Sequence, residues 1–553
     1  MLRRKAPGQL DSPRSRVTLL EKIETVGRAM LNIWNGSRLA VCAALVMIVA
    51  GGLFAPKTAR SQGSTAPIVS TRDGLVQGFV KDGARQYLGI PFAAPPVGSL
   101  RWRPPQAPAS WAGLRKTTAF GGSCPQGRDI GDYAKASDTE DCLYLNVYAP
   151  ARGSTKAQAV MVWIPGGGLF AGAADDFDGA RLAARGDVVL VTLNYRIGVL
   201  GFFAHPAIDG EGHLNGNYGI LDQQAALHWV RDNIAAFGGD PGNVTIFGQS
   251  AGGSSVIANL YSPMSKGLFH KAIDESGQRL SMPTEAEASK IGSNFAQAAG
   301  CADQSAACLR ALSVKQIVKV QPKFFAGTIQ DDKILPNQAY EALRSGRFNG
   351  VPMINGIAAD EQTFILAIAE ETDGPLTAEG YAKFIKGFGA NADRVAAAYP
   401  LSKYASPSLA EVDAVEGQKA CVTHRLSRWY AAKGTTWAYQ FDDRTAPSYF
   451  KPASFPMGAY HTAEIPYLFP LFHGGTGTPR PLNATQQKLS DGLIDAWASF
   501  ARTGNPNPSG LGAWTAYDPA HDNVLSINSP QSVMRDNYGS EHNCALWDTV
   551  GRY

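Results

Sequence analysis

Charged side chains are scarce in this sequence of 553 residues: Asp, Glu, Lys and Arg together make up 18%, against about 25% in an average globular protein. The net charge of +4 is concentrated at the start of the chain, because residues 1–61 contain ten basic and three acidic residues. The rest holds 41 basic and 44 acidic residues and carries about −3. Sequence-independent binding of nucleic acid needs clustered Lys and Arg, so nucleic acid is not an expected partner.

Signatures of metal and nucleotide sites are also absent from the sequence. No Cys and His spacing is typical of zinc, and no Gly-x-Gly-x-x-Gly follows a predicted strand, as a dinucleotide site requires. We therefore expect no cofactor and no metal. Neither a Pro/Ser-rich linker nor an internal repeat divides the chain, which predicts one large domain over residues 62–553.

The first 61 residues have the pattern of an export leader. Arg38 precedes an uncharged run of 17 residues at 39–55, and the small residues Ala59 and Ser61 favour cleavage before Gln62. The run is at the short edge of what spans a bilayer, so an uncleaved membrane anchor is the alternative. We expect a secreted or periplasmic protein that contacts a membrane only if the leader stays. Six cysteines follow the leader, an even number consistent with disulfides in an oxidising compartment.

The body of the chain alternates apolar runs with amphipathic segments. Residues 188–194 are typical of a buried strand, and residues 221–234 are typical of a helix with one apolar face. This alternation predicts an α/β fold, with a mostly parallel sheet covered by helices on both faces. The 59 glycines and 34 prolines indicate many long loops.

The most informative motif is Gly-Gln-Ser-Ala-Gly at residues 248–252, which follows the β-forming run Val-Thr-Ile-Phe and precedes small residues that can begin a helix. Such a sharp strand-to-helix turn exposes the central serine above a sheet, and its glycines leave room for the crowded backbone. Ser250 is therefore the candidate nucleophile. The alternative is a glycine-rich turn that holds a serine by chance.

A serine nucleophile needs a base to take its proton and an acid to orient that base. Among the histidines after Ser250, His461 has the best setting, in a loop between polar and apolar stretches, and a structural histidine is the alternative. Asp360 and Glu361 follow an apolar run at 351–357, which predicts a strand with the pair at its C-terminal end. Spacing alone favours neither carboxylate.

Donors for the oxyanion of an acyl-transfer intermediate are predicted after another apolar strand, at residues 159–164. Pro165 and three glycines follow that strand, and glycine lets backbone amides face a ligand without a Cβ. We expect the amides of Gly167, Gly168 and Ala251 to form the oxyanion hole. A flexible loop is the alternative interpretation.

From about residue 68 to residue 547 the sequence resembles the type B carboxylesterase and lipase family of α/β-hydrolases, which also contains cholinesterases and the non-catalytic neuroligins. The matching motifs are Gly-Ile-Pro-Phe-Ala-Ala-Pro-Pro-Val-Gly at 89–98, Glu-Asp-Cys-Leu-Tyr-Leu-Asn at 140–146, Asn-Tyr-Arg-Ile-Gly at 194–198, Asn-Tyr-Gly-Ile-Leu-Asp-Gln at 217–223, Trp-Val-Arg-Asp-Asn-Ile at 229–234, Phe-Gly-Gly-Asp-Pro at 237–241, the Ser250 turn, and Thr-Gly-Asn-Pro-Asn at 503–507.

The resemblance implies a serine carboxylesterase that hydrolyses small-molecule esters through an acyl-enzyme on Ser250. It further implies that Glu361 of the acidic pair is the acid and that His461 is the base. Two alternatives stay open: a non-catalytic binding protein of the neuroligin kind, and a lipase with a preference for long acyl chains. The resemblance also pairs the cysteines, as Cys124 with Cys142, Cys301 with Cys308, and Cys421 with Cys544.

Three departures from the family pattern bear on the pocket. Pro165 stands where many members have histidine, and Gln249 stands where glutamate is frequent, so one negative charge is missing beside the nucleophile. Residues 126–139 lack the tryptophan over which cholinesterases bind quaternary ammonium groups. A cholinesterase is therefore disfavoured, while the physiological ester and the oligomeric state are not encoded in any motif.

Overall fold

The computed structural model describes residues 66–128, 135–324, 327–472 and 480–551. The leader at residues 1–61, with its signal peptide or anchor, lies outside the described residues, and the domain boundary after it stays a prediction. Among the described residues, no helix combines the length and the hydropathy that crossing a bilayer would need.

The centre of the fold is a mixed sheet of eleven strands in the order β14-β13-β12-β11-β10-β9-β7-β8-β6-β4-β3. The strands from β8 to β13 in this order run parallel, whereas β14 at one edge and β6, β4 and β3 at the other are antiparallel to their neighbours. A separate small sheet contains β1, β2 and β5. The strands are β1 Ile68–Ser70, β2 Leu75–Gln77, β3 Phe79–Lys81, β4 Ala84–Pro91, β5 Leu114–Lys116, β6 Tyr144–Pro150, β7 Gln158–Trp163, β8 Val189–Leu193, β9 Gly239–Gln249, β10 Lys271–Glu275, β11 Met353–Ala358, β12 Thr436–Phe441, β13 Val524–Ile527 and β14 Val533–Arg535.

Helices cover both faces of this sheet, and the predicted α/β fold is confirmed. The helix predicted at 221–234 is observed at Tyr218–Asn233. The helices are α1 Ala180–Gly186, α2 Gly198–Gly201, α3 Pro206–Asp209, α4 Tyr218–Asn233, α5 Ala251–Tyr261, α6 Glu285–Ala298, α7 Ala306–Ala311, α8 Val314–Val320, α9 Ala339–Arg344, α10 Glu361–Asp373, α11 Ala378–Lys386, α12 Ala392–Ala398, α13 Pro407–Ala431, α14 Ile465–Leu468, α15 Ala484–Thr503, α16 Tyr538–Glu541 and α17 Cys544–Val550.

After Gln158, strand β7 is an unbroken apolar run, and the packing on its two faces explains why. Val160 and Val162 point to one face and join a core that contains residues of α4 and α5. Met161 and Trp163 point to the other face and join a core that contains residues of α15. Because alternate side chains of a strand face opposite sides, a central strand covered on both faces needs apolar residues at every position.

Helix α15 has clear signals at both ends. The side chain of Asn483 accepts hydrogen bonds from the amides of Thr485 and Gln486 and so caps the N-terminus. Gly504 ends the helix with φ of 79°, in the left-handed region. The motif at residues 503–507 therefore acts as a helix stop, which positions α15 against the sheet.

The three candidate loops lie at one edge of the sheet. Strands β7, β9 and β11 are parallel members of the sheet, and their C-terminal ends lead into the glycine run, Ser250 and the acidic pair. Ligands of α/β proteins bind beyond the carboxyl ends of such strands. The fold thus gathers three segments that lie far apart in the sequence.

The six described cysteines form three disulfides, and the pairs are those that the resemblance implies. Cys124 is joined to Cys142, Cys301 to Cys308, and Cys421 to Cys544. The third bond links α13 to α17, which are 123 positions apart at these cysteines. Closing so long a loop restricts the unfolded chain and thereby stabilises the native state.

Candidate active site

Ser250 lies in a strained turn between β9 and α5. Its φ is 61° and its ψ is −120°, a conformation that costs a residue with a side chain about 1–3 kcal/mol. Two hydrogen bonds hold the turn, since the Ser250 amide donates to the carbonyl of Glu275 at 2.8 Å and the Ser250 carbonyl accepts from the Ser254 amide at 2.8 Å. The turn therefore presents the serine at the C-terminal edge of the sheet.

Close packing explains the glycines around this turn. A Cβ on Gly252 would lie 2.1 Å from the carbonyl oxygen of Ile164, the residue that follows β7. A Cβ on Gly166 would lie 3.3 Å from the Cβ of Ser250. The glycine run after β7 thus passes directly beside Ser250.

The glycine run has a geometry that only glycine adopts easily. Gly167 has φ of 111°, and a Cβ there would lie 2.2 Å from the carbonyl oxygen of Ala171. The hydroxyl of Tyr195 donates to the carbonyl of Pro165 at 2.9 Å and holds the start of the run. Within the described part of the chain, the amides of Gly167, Gly168 and Ala251 donate no hydrogen bond. These three amides are therefore available to a ligand.

The two neighbouring carboxylates have different partners. Glu361, which is 2% exposed, places Oε2 2.5 Å from Nδ1 of His461. Its other oxygen, Oε1, accepts from the Ser276 hydroxyl at 2.6 Å and from the Ala358 amide at 3.2 Å. Of the two neighbouring carboxylates, Glu361 is therefore the one that contacts the imidazole, a distinction that spacing alone does not provide.

Asp360 instead holds the loop that carries His461. Its amide donates to the Ala459 carbonyl at 2.9 Å, and its Oδ2 accepts from the Ala459 amide at 2.8 Å. Arg444 Nε donates to the same Oδ2 at 2.8 Å. Asp360 thus ties the end of β11 to the segment just before the histidine.

His461 is oriented on one side by Glu361 and on another by Phe364, whose ring meets the imidazole edge-on at 5.3 Å between centroids. The amide nitrogen of Gln249 lies 3.4 Å from both ring nitrogens. A neutral imidazole has one acceptor nitrogen, and an amide nitrogen equally distant from both ring nitrogens lies off the lone-pair direction of either, so this is a contact with the ring and not a directed hydrogen bond. Among the described residues, the Ser250 hydroxyl makes no hydrogen bond to the imidazole.

The surroundings of Glu361 favour its ionised form, unlike those of two neighbouring carboxylates. Burial alone would raise the pKa of Glu361. This effect is outweighed by the charge and hydrogen bond of His461, by the charge of Lys419 and by the hydrogen bond of Ser276, which together lower the pKa to about 2. Burial raises the pKa of Glu275 to about 7, and it raises the pKa of Glu464 well above its ordinary value. Because the pKa of Glu361 is lowered while those of Glu275 and Glu464 are raised, these neighbouring carboxylates differ in how readily they ionise.

Two contacts of Glu361 were missed by the sequence analysis, those of Ser276 and Lys419. Ser276 directly follows β10, so the expectation that sites lie at the C-terminal ends of strands could have found it. Lys419 belongs to α13 and has no such signal. Among the described residues, no group of three or more His, Cys, Asp or Glu side chains is placed to hold a metal ion.

The model of the carboxylesterase family matches residues 65–396 and 409–547 of this chain. The chain belongs to the carboxylesterase family. Acylcarnitine hydrolase of Mus musculus is 38% identical over 518 residues, which cover 85% of this chain and 89% of that protein. Para-nitrobenzyl esterase of Bacillus subtilis (strain 168) is 35% identical over 491 residues, which cover 85% of this chain and 97% of that protein.

Solved structures agree with this assignment. A structure of PNB esterase matches this carboxylesterase with a TM-score of 0.75 and 31% identity, and the match covers 87% of this chain and 99% of the other. The family resemblance, the α/β-hydrolase fold and carboxylic ester hydrolysis are therefore confirmed. The non-catalytic alternative has no support among these relatives, each of which is named as a hydrolase or an esterase.

Proposed function

We propose that this carboxylesterase cleaves its esters through an acyl-enzyme on Ser250, with His461 as the base and Glu361 as the acid that orients it. The observation that carries the proposal is the contact of 2.5 Å between Nδ1 of His461 and Oε2 of the buried Glu361, at the sheet edge where Ser250 lies. A proton on Nδ1 that is donated to Glu361 leaves Nε2 as an acceptor, which is the form a general base needs.

The reaction then proceeds in two halves. Nε2 of His461 takes the Ser250 proton while Oγ attacks the ester carbonyl, and the amides of Gly167, Gly168 and Ala251 receive the oxyanion. The imidazolium returns its proton to the departing alcohol, which leaves the acyl group on Ser250. In the second half, His461 deprotonates a water molecule that attacks the acyl carbonyl; the bond to Ser250 Oγ then breaks, the imidazolium returns the proton to Oγ, and the acid leaves. The Ser250 hydroxyl turns toward Nε2 when substrate binds, since catalytic hydrogen bonds often tighten only in the complex.

An organophosphate ester tests the nucleophile directly. Diethyl 4-nitrophenyl phosphate should transfer its diethylphosphoryl group to Ser250 and release 4-nitrophenolate, because a nucleophilic serine attacks phosphorus as it attacks a carbonyl. Peptide mass mapping should find the added group on Ser250 in the native enzyme and should find none in heat-unfolded protein. A label confined to another serine, or full ester hydrolysis without any label, would contradict the proposal.

We also propose that the enzyme is exported and that its leader is removed. The three disulfides support this, since such bonds form and persist in oxidising compartments. The apolar run at residues 39–55 and the small residues before Gln62 support cleavage there. N-terminal sequencing of the mature protein should begin at Gln62. An intact leader on protein recovered from membranes would instead favour the anchor.

A further inference from the structure

One oxygen of the triad acid has two nitrogen neighbours. Oε2 of Glu361 lies 2.5 Å from Nδ1 of His461 and 3.8 Å from Nζ of Lys419. The Lys419 side chain is 25% exposed, whereas that of Glu361 is 2% exposed. The ammonium group thus reaches a buried carboxylate from a position that still contacts solvent.

The backbone of Lys419 is held in place relative to the site. Its carbonyl accepts from the side-chain amide of Gln278 at 2.8 Å, and the same amide donates to Thr423 Oγ1 at 2.8 Å. Gln278 lies two residues after Ser276, which itself donates to Glu361. Helix α13 is therefore attached to the segment that supports the acid, which keeps the Lys419 side chain near Glu361.

In the part of the chain that the structure describes, Lys419 is the lysine or arginine whose charge acts on Glu361. Helix α13 also contributes Glu416, a buried carboxylate that accepts a hydrogen bond from the backbone amide of Gln362 at 2.5 Å. Burial raises the pKa of Glu416 well above its ordinary value, while the charge of Lys419 opposes that shift.

Other elements also bring polar groups to Glu361: Ser276 lies at the end of β10, and His461 and Glu464 lie in the histidine loop. Arg444 pairs with Asp360 instead.

We propose that Lys419 is a positioning residue that holds the Glu361 carboxylate for His461 and extends ester hydrolysis toward lower pH. This rests on the triad proposed above. A cation beside Oε2 favours the carboxylate and disfavours the imidazolium that would form against the same oxygen. The cation thus opposes the stabilisation of the imidazolium by Glu361 and favours the neutral imidazole, which is the active base.

The pH dependence of kcat/KM for a short-chain ester, followed by pH-stat titration, tests this role. In Lys419→Met the acidic limb should move to higher pH by about half a pH unit to one pH unit, a range discounted for the partial exposure of Lys419. Lys419→Arg should keep the limb near its original position, because it retains the charge. The control is Lys488→Met, which removes one positive charge from an exposed position on α15. It should leave the acidic limb in place.

An unmoved limb in Lys419→Met, or an equal shift in Lys488→Met, would overturn the proposal. Lys419→Gln serves as a second neutral variant if the methionine variant does not fold, as judged by its thermal unfolding. A residue with only a structural role would lower activity or Tm without moving the limb. Organophosphate labelling of Ser250 in the same samples separates the two proposals: label with an unmoved limb defeats only the role of Lys419, whereas missing label defeats the triad.

Discussion

Replacing Ser250 by alanine is expected to lower kcat/KM for a short-chain ester by roughly 10⁴-fold or more, because the proposed triad then has no nucleophile. The change keeps the Cβ and removes only a hydroxyl that makes no hydrogen bond to His461 in the described structure. The fold should therefore persist, with Tm within a few degrees of the original. Initial rates of ester hydrolysis and a thermal melt of the same sample measure both effects.

Ser254→Ala is the matched control for this variant. Ser254 lies one turn further along α5, and within the described ranges its hydroxyl accepts a single, long hydrogen bond, from the Arg279 amide at 3.3 Å. We expect activity within about fivefold of the original, since a weak hydrogen bond contributes at most about 1 kcal/mol. Comparable activity in the Ser250→Ala protein, after contaminating esterases are excluded, would remove Ser250 from the mechanism.

Replacing Glu361 by glutamine is expected to lower kcat by about 10³- to 10⁴-fold, although the side chain keeps its shape. The Oε1 position receives two donors, the Ser276 hydroxyl and the Ala358 amide. The glutamine NH₂ cannot occupy that position without opposing the Ala358 N–H, so it must face Nδ1 of His461. Nδ1 then becomes an acceptor, and the proton moves to Nε2, where it blocks proton transfer from Ser250.

Asp360→Asn tests whether this effect is specific to the acid of the triad. The substitution makes the same exchange of a carboxylate oxygen for NH₂ at the adjacent residue, but in the described structure Asp360 contacts Ala459 and Arg444 and not the imidazole. We expect a lower Tm with kcat reduced less than tenfold, an upper bound of about 1.4 kcal/mol in the barrier. If kcat fell equally in both variants, the assignment of the acid to Glu361 would be wrong. Single-turnover rates and melting curves of the two proteins provide the comparison.

Local patterns were sufficient to predict the backbone of the site. The apolar runs before the glycine run, Ser250 and the acidic pair were each expected to be strands, and β7, β9 and β11 end where those runs end, within about two residues. Strand ends are predictable because burial on both faces demands continuous apolar residues and the turn that follows demands glycine. The glycines near Ser250 have the close contacts that such a turn requires.

Side-chain partners across the fold were not predictable in the same way. Asp360 and Glu361 are adjacent in sequence, yet one binds the Ala459 amide and the other binds His461. No spacing rule distinguishes them, because the difference depends on where α10 begins and on the path of a loop 100 positions later. The family resemblance supplied the choice, and the geometry supplied its physical reason.

Short-range sterics and the burial of apolar side chains dictate local structure, so the sequence predicts the sharp turn at Ser250, the glycine run and the alternation of strands and helices. Which side chains meet at the site is not predictable in this way. Glu361 acquires its hydrogen bonds from Ser276 and His461, and its neighbouring cation from Lys419, through contacts between distant segments. Such contacts depend on the packing of α13 and the histidine loop against the sheet, which no local pattern encodes.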